Sequence, residues 1–235
     1  MTNVLITGAN RGIGLELVRQ CLSRGDRVWG SCRDIRKAKE LCSLRDDSEN
    51  LSIFALDVCD QQSVENAFSG MKSNGIKIDL LFNNAGIIDW NEFSTVSAKS
   101  FDEIYKVNVT GAFLVTKYAL ELLHNSEPNK SKIINLSSRL GSIKLRGSTQ
   151  LGGAIAYQCS KAALNMLTRQ TAIELSGKSI SVISMSPGWV KTDMGGPDAK
   201  YEPNESVSMM LHTLENLKGD ETGVFIGEDG IEIPW

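Results

Sequence analysis

Apolar residues along the chain alternate between short continuous runs and longer stretches with helical spacing. The first run, from Thr2 to Thr7, ends in a glycine-rich turn, and apolar positions at helical spacing follow from Leu15 to Leu22. A short apolar run predicts a buried strand, and the spacing after it predicts an amphipathic helix. Similar runs predict strands at residues 27–33, 51–56, 78–82, 132–136, 179–185 and 224–226.

The segments between these runs carry apolar residues at helical spacing. Asp60 and Ser97 have the short polar side chains that cap helix N-termini. Helices are predicted over residues 35–44, 60–71, 97–123 and 154–175, and from 207 to a stop at Gly219. Repeated strand–helix units with continuously apolar strands predict an α/β fold: a single-domain, doubly wound parallel sheet, Rossmann-like, with helices on both faces.

Composition narrows the class of protein. The 235 residues are 41% hydrophobic and carry a net charge of −3, and no apolar run approaches the ~20 residues of a membrane span. Near-neutral charge argues against nucleic-acid binding. Five cysteines without a C-x-x-C pair, and a start unlike a signal peptide, predict a cytoplasmic protein. We expect one domain over residues 1–235, with a mobile substrate loop near 191–204.

The turn after the first strand has the spacing T-G-x-x-x-G-x-G from Thr7 to Gly14. In a doubly wound sheet such a turn lets phosphate oxygens approach the backbone at a helix N-terminus. Taken alone, the turn equally fits a tight bend with close helix packing.

Tyr157 and Lys161 lie four residues apart on a predicted helix and therefore on the same face. A phenol with an ordinary pKa of ~10 is a poor acid–base group unless a nearby cation favours the phenolate. Lys161 is suited to supply that cation. On its own, such a pair is also typical of solvated side chains.

Seven motifs together resemble the short-chain dehydrogenase/reductase family, from residue 2 to about residue 226. They are Thr7–Gly14, Asp57–Val58, Asn83–Gly86, Asn108, Ser137–Ser138, Tyr157–Lys161 and Pro187–Gly188. Within the family the chain is most similar to the Sniffer-like carbonyl reductases and the C-factor-like proteins. The resemblance implies an NADPH-dependent oxidoreductase that transfers a hydride between nicotinamide and an aldehyde, ketone or quinone, or the corresponding alcohol.

The resemblance also implies catalytic roles. Tyr157 would be the acid that protonates the carbonyl oxygen, and the base in reverse. Ser138 would bind the substrate oxygen; it is preferred to Ser137 because it begins a Ser-x-x-Gly spacing. Lys161 would bind the nicotinamide ribose and lower the pKa of Tyr157, and Asn108 would hold a water that links Lys161 to solvent.

Cofactor contacts follow from the same motifs. The first turn would surround the pyrophosphate, the next motif would address the adenine, and the later ones would border the adenosine and the nicotinamide. These residues are Gly8, Gly12, Ile13, Gly14, Asp57, Val58, Asn84, Ala85, Gly86, Pro187, Gly188, Val190 and Thr192.

Charge at the adenosine ribose decides between NADP and NAD. Arg33 ends the second strand and Arg11 lies inside the glycine turn, and guanidinium groups favour a 2′-phosphate. NADP is therefore predicted over NAD. Asp34 weakens this prediction, and Arg33 also fits a solvated charge at a strand end.

Residues 139–156 separate Ser138 from Tyr157 by a long segment that contains Arg139, Lys144 and Arg146. This segment fits either a selector of acidic or bulky substrates or a flexible solvated loop.

Three further expectations concern function and assembly. A serine hydrolase is excluded because there is no G-x-S-x-G elbow and only two histidines are present. An NADP-binding regulatory or signalling protein with little turnover is the alternative to an enzyme. The two long helices carry more apolar positions than one sheet face covers, which predicts a homodimer or homotetramer.

Overall fold

The computed structural model describes residues 1–123, 125–126, 129–147, 153–217 and 221–235. The strands within them are β1 (Asn3–Thr7), β2 (Arg27–Cys32), β3 (Leu51–Ala55), β4 (Leu80–Asn83), β5 (Asn125–Ser126), β6 (Asn129–Leu136), β7 (Ile180–Met185) and β8 (Val224–Ile226). The α-helices are α1 (Gly12–Ser23), α2 (Lys39–Asp46), α3 (Gln61–Ser73), α4 (Ala98–Tyr105), α5 (Ala112–Ala119), α6 (Ile155–Glu174) and α7 (Pro203–Asn216).

The strands form one sheet in the order β3-β2-β1-β4-β6-β7-β8, and neighbours along this path are parallel. Val4 of β1 pairs with Val28 on one side and with Leu80 on the other. The short β5, which the sequence did not predict, pairs antiparallel with β6. The predicted doubly wound parallel sheet is confirmed.

The core lies on both faces of the sheet. Val4 and Ile6 of β1 are buried in one apolar cluster with Leu17 of α1, whereas Leu5 is buried in another with Phe68 of α3. Because successive strand residues point to opposite faces, a strand covered on both faces must be apolar at every position. This is why the strands were evident as continuous apolar runs.

The helix predicted over residues 97–123 is interrupted. It consists of α4, a π-helical turn at Lys106–Gly111 and α5, and the predicted cap Ser97 accepts a hydrogen bond from the backbone N–H of Ser100. Gly111 packs on Val58, and a Cβ atom there would lie 2.8 Å from Val58 Cγ2. The predicted long helix is therefore present, but it has one wide turn in its middle and its last α-helical residue is Ala119.

Two other helices differ from the prediction at their starts. The segment at 35–44 begins as a 3-10 turn, Ile35–Lys37, and continues as α2. Helix α7 begins at Pro203, ahead of its predicted start, because Glu202 and Glu205 form a capping box. The predicted stop at Gly219 lies outside the described residues.

In the described ranges no helix has the length and apolar character needed to cross a membrane.

Candidate active site

The carboxyl ends of the parallel strands bring the predicted site residues to one edge of the sheet. The glycine turn follows β1, Arg33 follows β2 and Asp57 lies just beyond β3. Asn84 follows β4, Ser138 lies just beyond β6, and Pro187 lies just beyond β7. The strand order reverses between β1 and β4, and doubly wound sheets bind nucleotides at such a point.

Glycines let the turn after β1 pack closely against the start of α1. Gly8 and Gly12 have φ angles of 65° and 53°, in the left-handed region that favours glycine. A Cβ atom at Gly14 would overlap the carbonyl oxygen of Gly8, so only glycine allows α1 to pack this closely. The turn therefore has the shape of a phosphate-binding site.

Asn84 ties the turns after β1 and β4 together. Its Nδ2 donates to the carbonyl oxygens of Thr7 and Gly8, at 2.7 and 3.0 Å. In return, the hydroxyl oxygen of Thr7 accepts from the backbone N–H groups of Asn84 and Ala85. The side chain of Asn84 thus shapes the cleft at the point where the strand order reverses.

Ser138 and Tyr157 are brought together at the end of β6. The side chain of Ser138 lies close enough to the phenol to lower the pKa of Tyr157, and its hydroxyl oxygen accepts from the backbone N–H of Leu140 as the cap of the 3-10 helix Arg139–Gly141. Ser137 is buried elsewhere and donates to Asn165 Oδ1 at 2.7 Å. The structure therefore places Ser138, and not Ser137, against the phenol.

Burial dominates the acidity of the phenol. Tyr157 packs in a small apolar cluster with Ile87, Leu140 and Met194, which come from the loop after β4, the 3-10 helix and the loop after β7. Burial raises the pKa of Tyr157 to about 12, against which the hydrogen bond with Ser138 acts. The sequence predicted that Lys161 would lower this pKa, whereas the net shift in the structure is upward. At neutral pH the phenol is therefore protonated.

Lys161 lies beneath the tyrosine ring with its ammonium 5.4 Å from the ring centroid. Nζ donates to the carbonyl oxygen of Leu136 at 2.6 Å, and burial lowers the pKa of Lys161 to about 8. A Cβ atom at Gly141 would lie 2.7 Å from Cβ of Lys161. The Ser-x-x-Gly spacing therefore lets the 3-10 helix pack directly on α6.

Asn108 lies in the π-helical turn, and its side chain joins two other parts of the site. Oδ1 accepts from the backbone N–H of Ile87 at 2.9 Å, and Nδ2 donates to the Ile87 carbonyl and to Ser160 Oγ. The side chain therefore fixes the loop after β4 to α6. The water-holding role of Asn108 stays a prediction.

The two arginines predicted to select NADP, Arg33 and Arg11, have different surroundings. Arg33 is exposed and makes no ion pair within the described part of the chain. Asp34 is bound to Arg36 at 3.0 Å, and this hydrogen bond lowers the pKa of Asp34. Arg11 forms an ion pair with Asp193 at 2.7 Å. The carboxylate of Asp34, the residue after Arg33, is therefore already paired with Arg36.

Asp57 and Val58 form the turn after β3. Asp57 Oδ1 accepts from the backbone N–H of Cys59 at 2.9 Å, and Val58 is buried against Gly111 of the π-helical turn. The contact of both residues with the adenine stays a prediction.

The loop after β7 lies against the glycine turn. A Cβ atom at Gly12 would lie 3.3 Å from Cγ2 of Thr192, and Val190 forms a β-bridge with Tyr201. The indole of Trp189 donates to the carbonyl oxygen of Gly195. Mobility of residues 191–204 stays a prediction.

Arg139 does not face the substrate side as an unpaired cation. Its Nη2 lies 3.5 Å from Glu228 Oε2 and 3.5 Å from Asp229 Oδ1. Residues 148–152 of the same predicted loop lie outside the described residues. An acid-selecting role for Arg139 is therefore not supported.

Buried polar residues behind the site were not predicted. Asn83 Nδ2 donates to Thr116 and Asn135, and Asn135 donates to Thr168. Asn135 lies between the buried Ile134 and Leu136 of β6, and this polar residue within a short apolar run is the sequence signal for the buried bonds. These bonds fix β4, β6 and α6 relative to one another.

No group of side chains suited to a metal ion occurs among the described residues.

Comparison with known proteins agrees with this geometry. The family model for short chain dehydrogenase matches residues 2–202. The NADPH-bound carbonyl reductase from chicken fatty liver is 37% identical, with a TM-score of 0.92 over 100% of this chain and 99% of that chain. The carbonyl reductase Sniffer of D. melanogaster is 32% identical, with a TM-score of 0.93 over 100% of both chains.

The C-signal protein of Myxococcus xanthus is 36% identical over 159 residues, which are 67% of this chain and 93% of that protein. The resemblance inferred from the seven motifs, including its subgroup, is thus confirmed. The chain belongs to the short-chain dehydrogenase/reductase family.

Proposed function

We propose that the protein is an NADPH-dependent carbonyl reductase acting on an aldehyde, ketone or quinone, or on the corresponding alcohol in reverse. The observation that carries this proposal is the position of Ser138 beside the buried phenol of Tyr157, with Lys161 beneath the phenol ring. Carbonyl reductases that align over the whole chain, one of them with NADPH bound, support it.

The cleft fits a dinucleotide with a 2′-phosphate. The glycine turn and the N-terminus of α1 would hold the pyrophosphate, and Arg11 and Arg33 the 2′-phosphate. Asp57 and Val58 would border the adenine, and Lys161 would hold the nicotinamide ribose. The remaining predicted contacts, on the adenosine and nicotinamide sides, are Asn84, Ala85, Gly86, Pro187, Gly188, Val190 and Thr192. When bound, the cofactor supplies the hydride.

The residues of this chain supply position and a proton. Ser138 donates a hydrogen bond to the carbonyl oxygen and orients it towards Tyr157. The phenol donates its proton to that oxygen, and its raised pKa ensures that the proton is present at neutral pH. In the oxidative direction the same phenol must lose its proton. The positive charge of Lys161 would stabilise the phenolate that forms.

The alternative function is an NADP-binding signalling protein with little turnover, and similarity to the C-signal protein favours it. The retained Ser138 argues against it, because a pure binder needs no group for the substrate oxygen. Both functions require cofactor binding, so only turnover separates them.

The proposed function is tested by following NADPH oxidation in the presence of aldehydes, ketones and quinones. We expect turnover with at least one of these classes. NADPH binding without turnover on any of them would support the signalling alternative and contradict a carbonyl reductase.

Replacing Arg33 with Ala is expected to weaken NADPH binding roughly tenfold to a hundredfold, because a charge-assisted hydrogen bond to phosphate is lost. NADH lacks that phosphate, so its affinity should hardly change. Titration calorimetry with both cofactors measures the difference, and Arg19→Ala, on the exposed side of α1, is the matched control. Equal affinities of the unmodified protein for NADH and NADPH would show that the NADP assignment is wrong.

We also propose a homodimer or homotetramer formed through α5 and α6. Phe113 of α5 and Met166 and Ile173 of α6 are exposed, and the latter two lie seven residues apart on one helix face. Met166→Glu should therefore produce monomers in sedimentation experiments at micromolar concentration, whereas Ser69→Glu on α3 should not. A monomeric unmodified protein would rule the assembly out.

A further inference from the structure

The C-terminal segment, residues 227–235, lies beyond the part of the chain that matches the family model. It folds back on β8: the backbone N–H of Gly227 donates to the Ile231 carbonyl, and that of Ile233 to the Phe225 carbonyl. The ring of Trp235 stacks on Phe225 with centroids 5.6 Å apart. The segment is therefore a folded hairpin next to the site.

An ionic cluster joins this hairpin to the residue after Ser138. The guanidinium of Arg139 lies between Glu228 and Asp229, at 3.5 Å from each carboxylate. A Cβ atom at Gly227 would overlap Nη2 of Arg139, so the guanidinium lies directly on the hairpin backbone. This close approach is possible only with glycine at position 227.

Glu228 constrains where Arg139 can lie. The side chain of Glu228 is only 5% exposed, and its Oε2 has no hydrogen-bond partner among the described residues. A buried carboxylate needs a compensating charge, and Arg139 supplies it. The backbone of Glu228 is itself fixed, because the hydroxyl of Thr213 donates to its carbonyl oxygen at 2.8 Å.

The carboxylate of Glu228 also reaches the loop after β7. A Cβ atom at Gly188 would lie 2.9 Å from Oε1 of Glu228. One buried side chain therefore contacts the nicotinamide side of the cleft and, through Arg139, the serine side.

A second attachment holds the far end of the same segment. The hydroxyl of Ser142 donates to the Pro234 carbonyl, and the backbone N–H of Lys144 donates to the Trp235 carbonyl at 2.8 Å. The 3-10 helix Arg139–Gly141, which Ser138 caps, is thus anchored to the hairpin on both sides.

We infer that Arg139 and Glu228 are positioning residues that hold the Ser138 hydroxyl against Tyr157. They act through the 3-10 helix and contact neither substrate nor cofactor. The inference rests on the proposed function, and it gives the C-terminal hairpin a part in carbonyl reduction.

A double-mutant cycle with Ser138→Ala tests this role. Arg139→Ala alone should lower kcat roughly tenfold to a hundredfold, the cost of misplacing a reacting group, with the KM for NADPH unchanged. In the Ser138→Ala background the same change should have no further effect, because there is no hydroxyl left to position. Glu228→Gln, which keeps the shape of the side chain, should follow the same pattern, and Arg139→Lys should recover part of the loss.

Hydrogen exchange supplies a readout that does not depend on turnover. Arg139→Ala and Glu228→Gln should both accelerate exchange of the Leu140 amide, which is bonded to Ser138 Oγ. The matched control is Arg24→Ala: Arg24 pairs with Glu215 away from the site, and its side chain is 37% exposed, against 39% for Arg139. Arg24→Ala should change neither kcat nor the exchange rate of the Leu140 amide.

The inference would be overturned if Arg139→Ala lowered kcat equally with and without the Ser138 hydroxyl. It would also be overturned if Arg139→Ala and Glu228→Gln both left turnover unchanged, or both left exchange of the Leu140 amide unchanged. If Ser138→Ala itself keeps full turnover, the proposed mechanism fails instead. In that case accelerated exchange at Leu140 still supports the positioning of Ser138, and unchanged exchange rejects it.

Discussion

Replacing Tyr157 with Phe should lower the rate of carbonyl reduction by ~10²–10⁴-fold, the usual contribution of a positioned acid. The change removes one hydroxyl and leaves the ring in its apolar cluster with Ile87, Leu140 and Met194. Because burial holds the pKa of the phenol at about 12, that hydroxyl is a proton donor over the whole neutral range. Steady-state kinetics with NADPH and the best carbonyl substrate measure the loss.

The Tyr157→Phe protein should still bind NADPH, and the cofactor should still protect it against thermal unfolding by mass action. Tyr118→Phe is the matched control, since its hydroxyl is bonded to Gln61 on the exposed side of α5 and the same atom is removed. Near-normal turnover of Tyr157→Phe with bound NADPH would mean that the proton donor lies elsewhere.

Replacing Lys161 with Ala should have a broader effect, because cofactor affinity and turnover should fall together. The ammonium is the group proposed to hold the nicotinamide ribose, and a hydrogen bond from a charged donor contributes roughly tenfold or more to affinity. Calorimetry separates this loss from the kinetic one. Unchanged NADPH affinity in Lys161→Ala would remove the lysine from the cofactor site.

The pH dependence of NADPH binding should report the same side chain. Burial lowers the pKa of Lys161 to about 8, so the ammonium is present below that pH and is lost as the pH rises through it. Affinity for NADPH, and kcat/KM with it, should therefore fall above about pH 8, since kcat/KM reports groups of the free enzyme. Tyr157→Phe should keep this binding profile. A flat profile, or one abolished in Tyr157→Phe, would contradict the assignment to Lys161.

The sequence was most informative where local pattern and burial coincide. β1 was predictable because Val4, Leu5 and Ile6 are all buried between two layers of helices. The pairing of Ser138 with Tyr157 was implied by the family resemblance, and in the structure Ser138 lies just beyond β6 and Tyr157 near the start of α6.

The remaining features depend on contacts between distant residues. Arg139 and Glu228 lie far apart in the chain, and no spacing rule relates them. The net pKa shift of Tyr157 is upward because burial outweighs the other effects, and this burial comes from three separate segments of the chain, whereas the sequence places only Lys161 beside the phenol. The π-helical turn was missed because one wide turn barely alters the spacing of apolar residues.

That π-helical turn makes the chain unusually sensitive to a change of length at Lys106–Gly111. A wide turn holds about one residue more than an α-helical turn, so removing a single residue would restore a regular and intrinsically more favourable helix. The wide turn accommodates its extra residue without rotating α5 relative to α4, so the deletion would shift the side chains within the turn and leave those outside it in place. Asn108 would turn away from Ile87 and Ser160, and the loop after β4 would lose its attachment to α6. Substitutions in this segment alter single contacts, whereas a one-residue deletion would remove all the contacts of Asn108 at once and leave α4 and α5 in place.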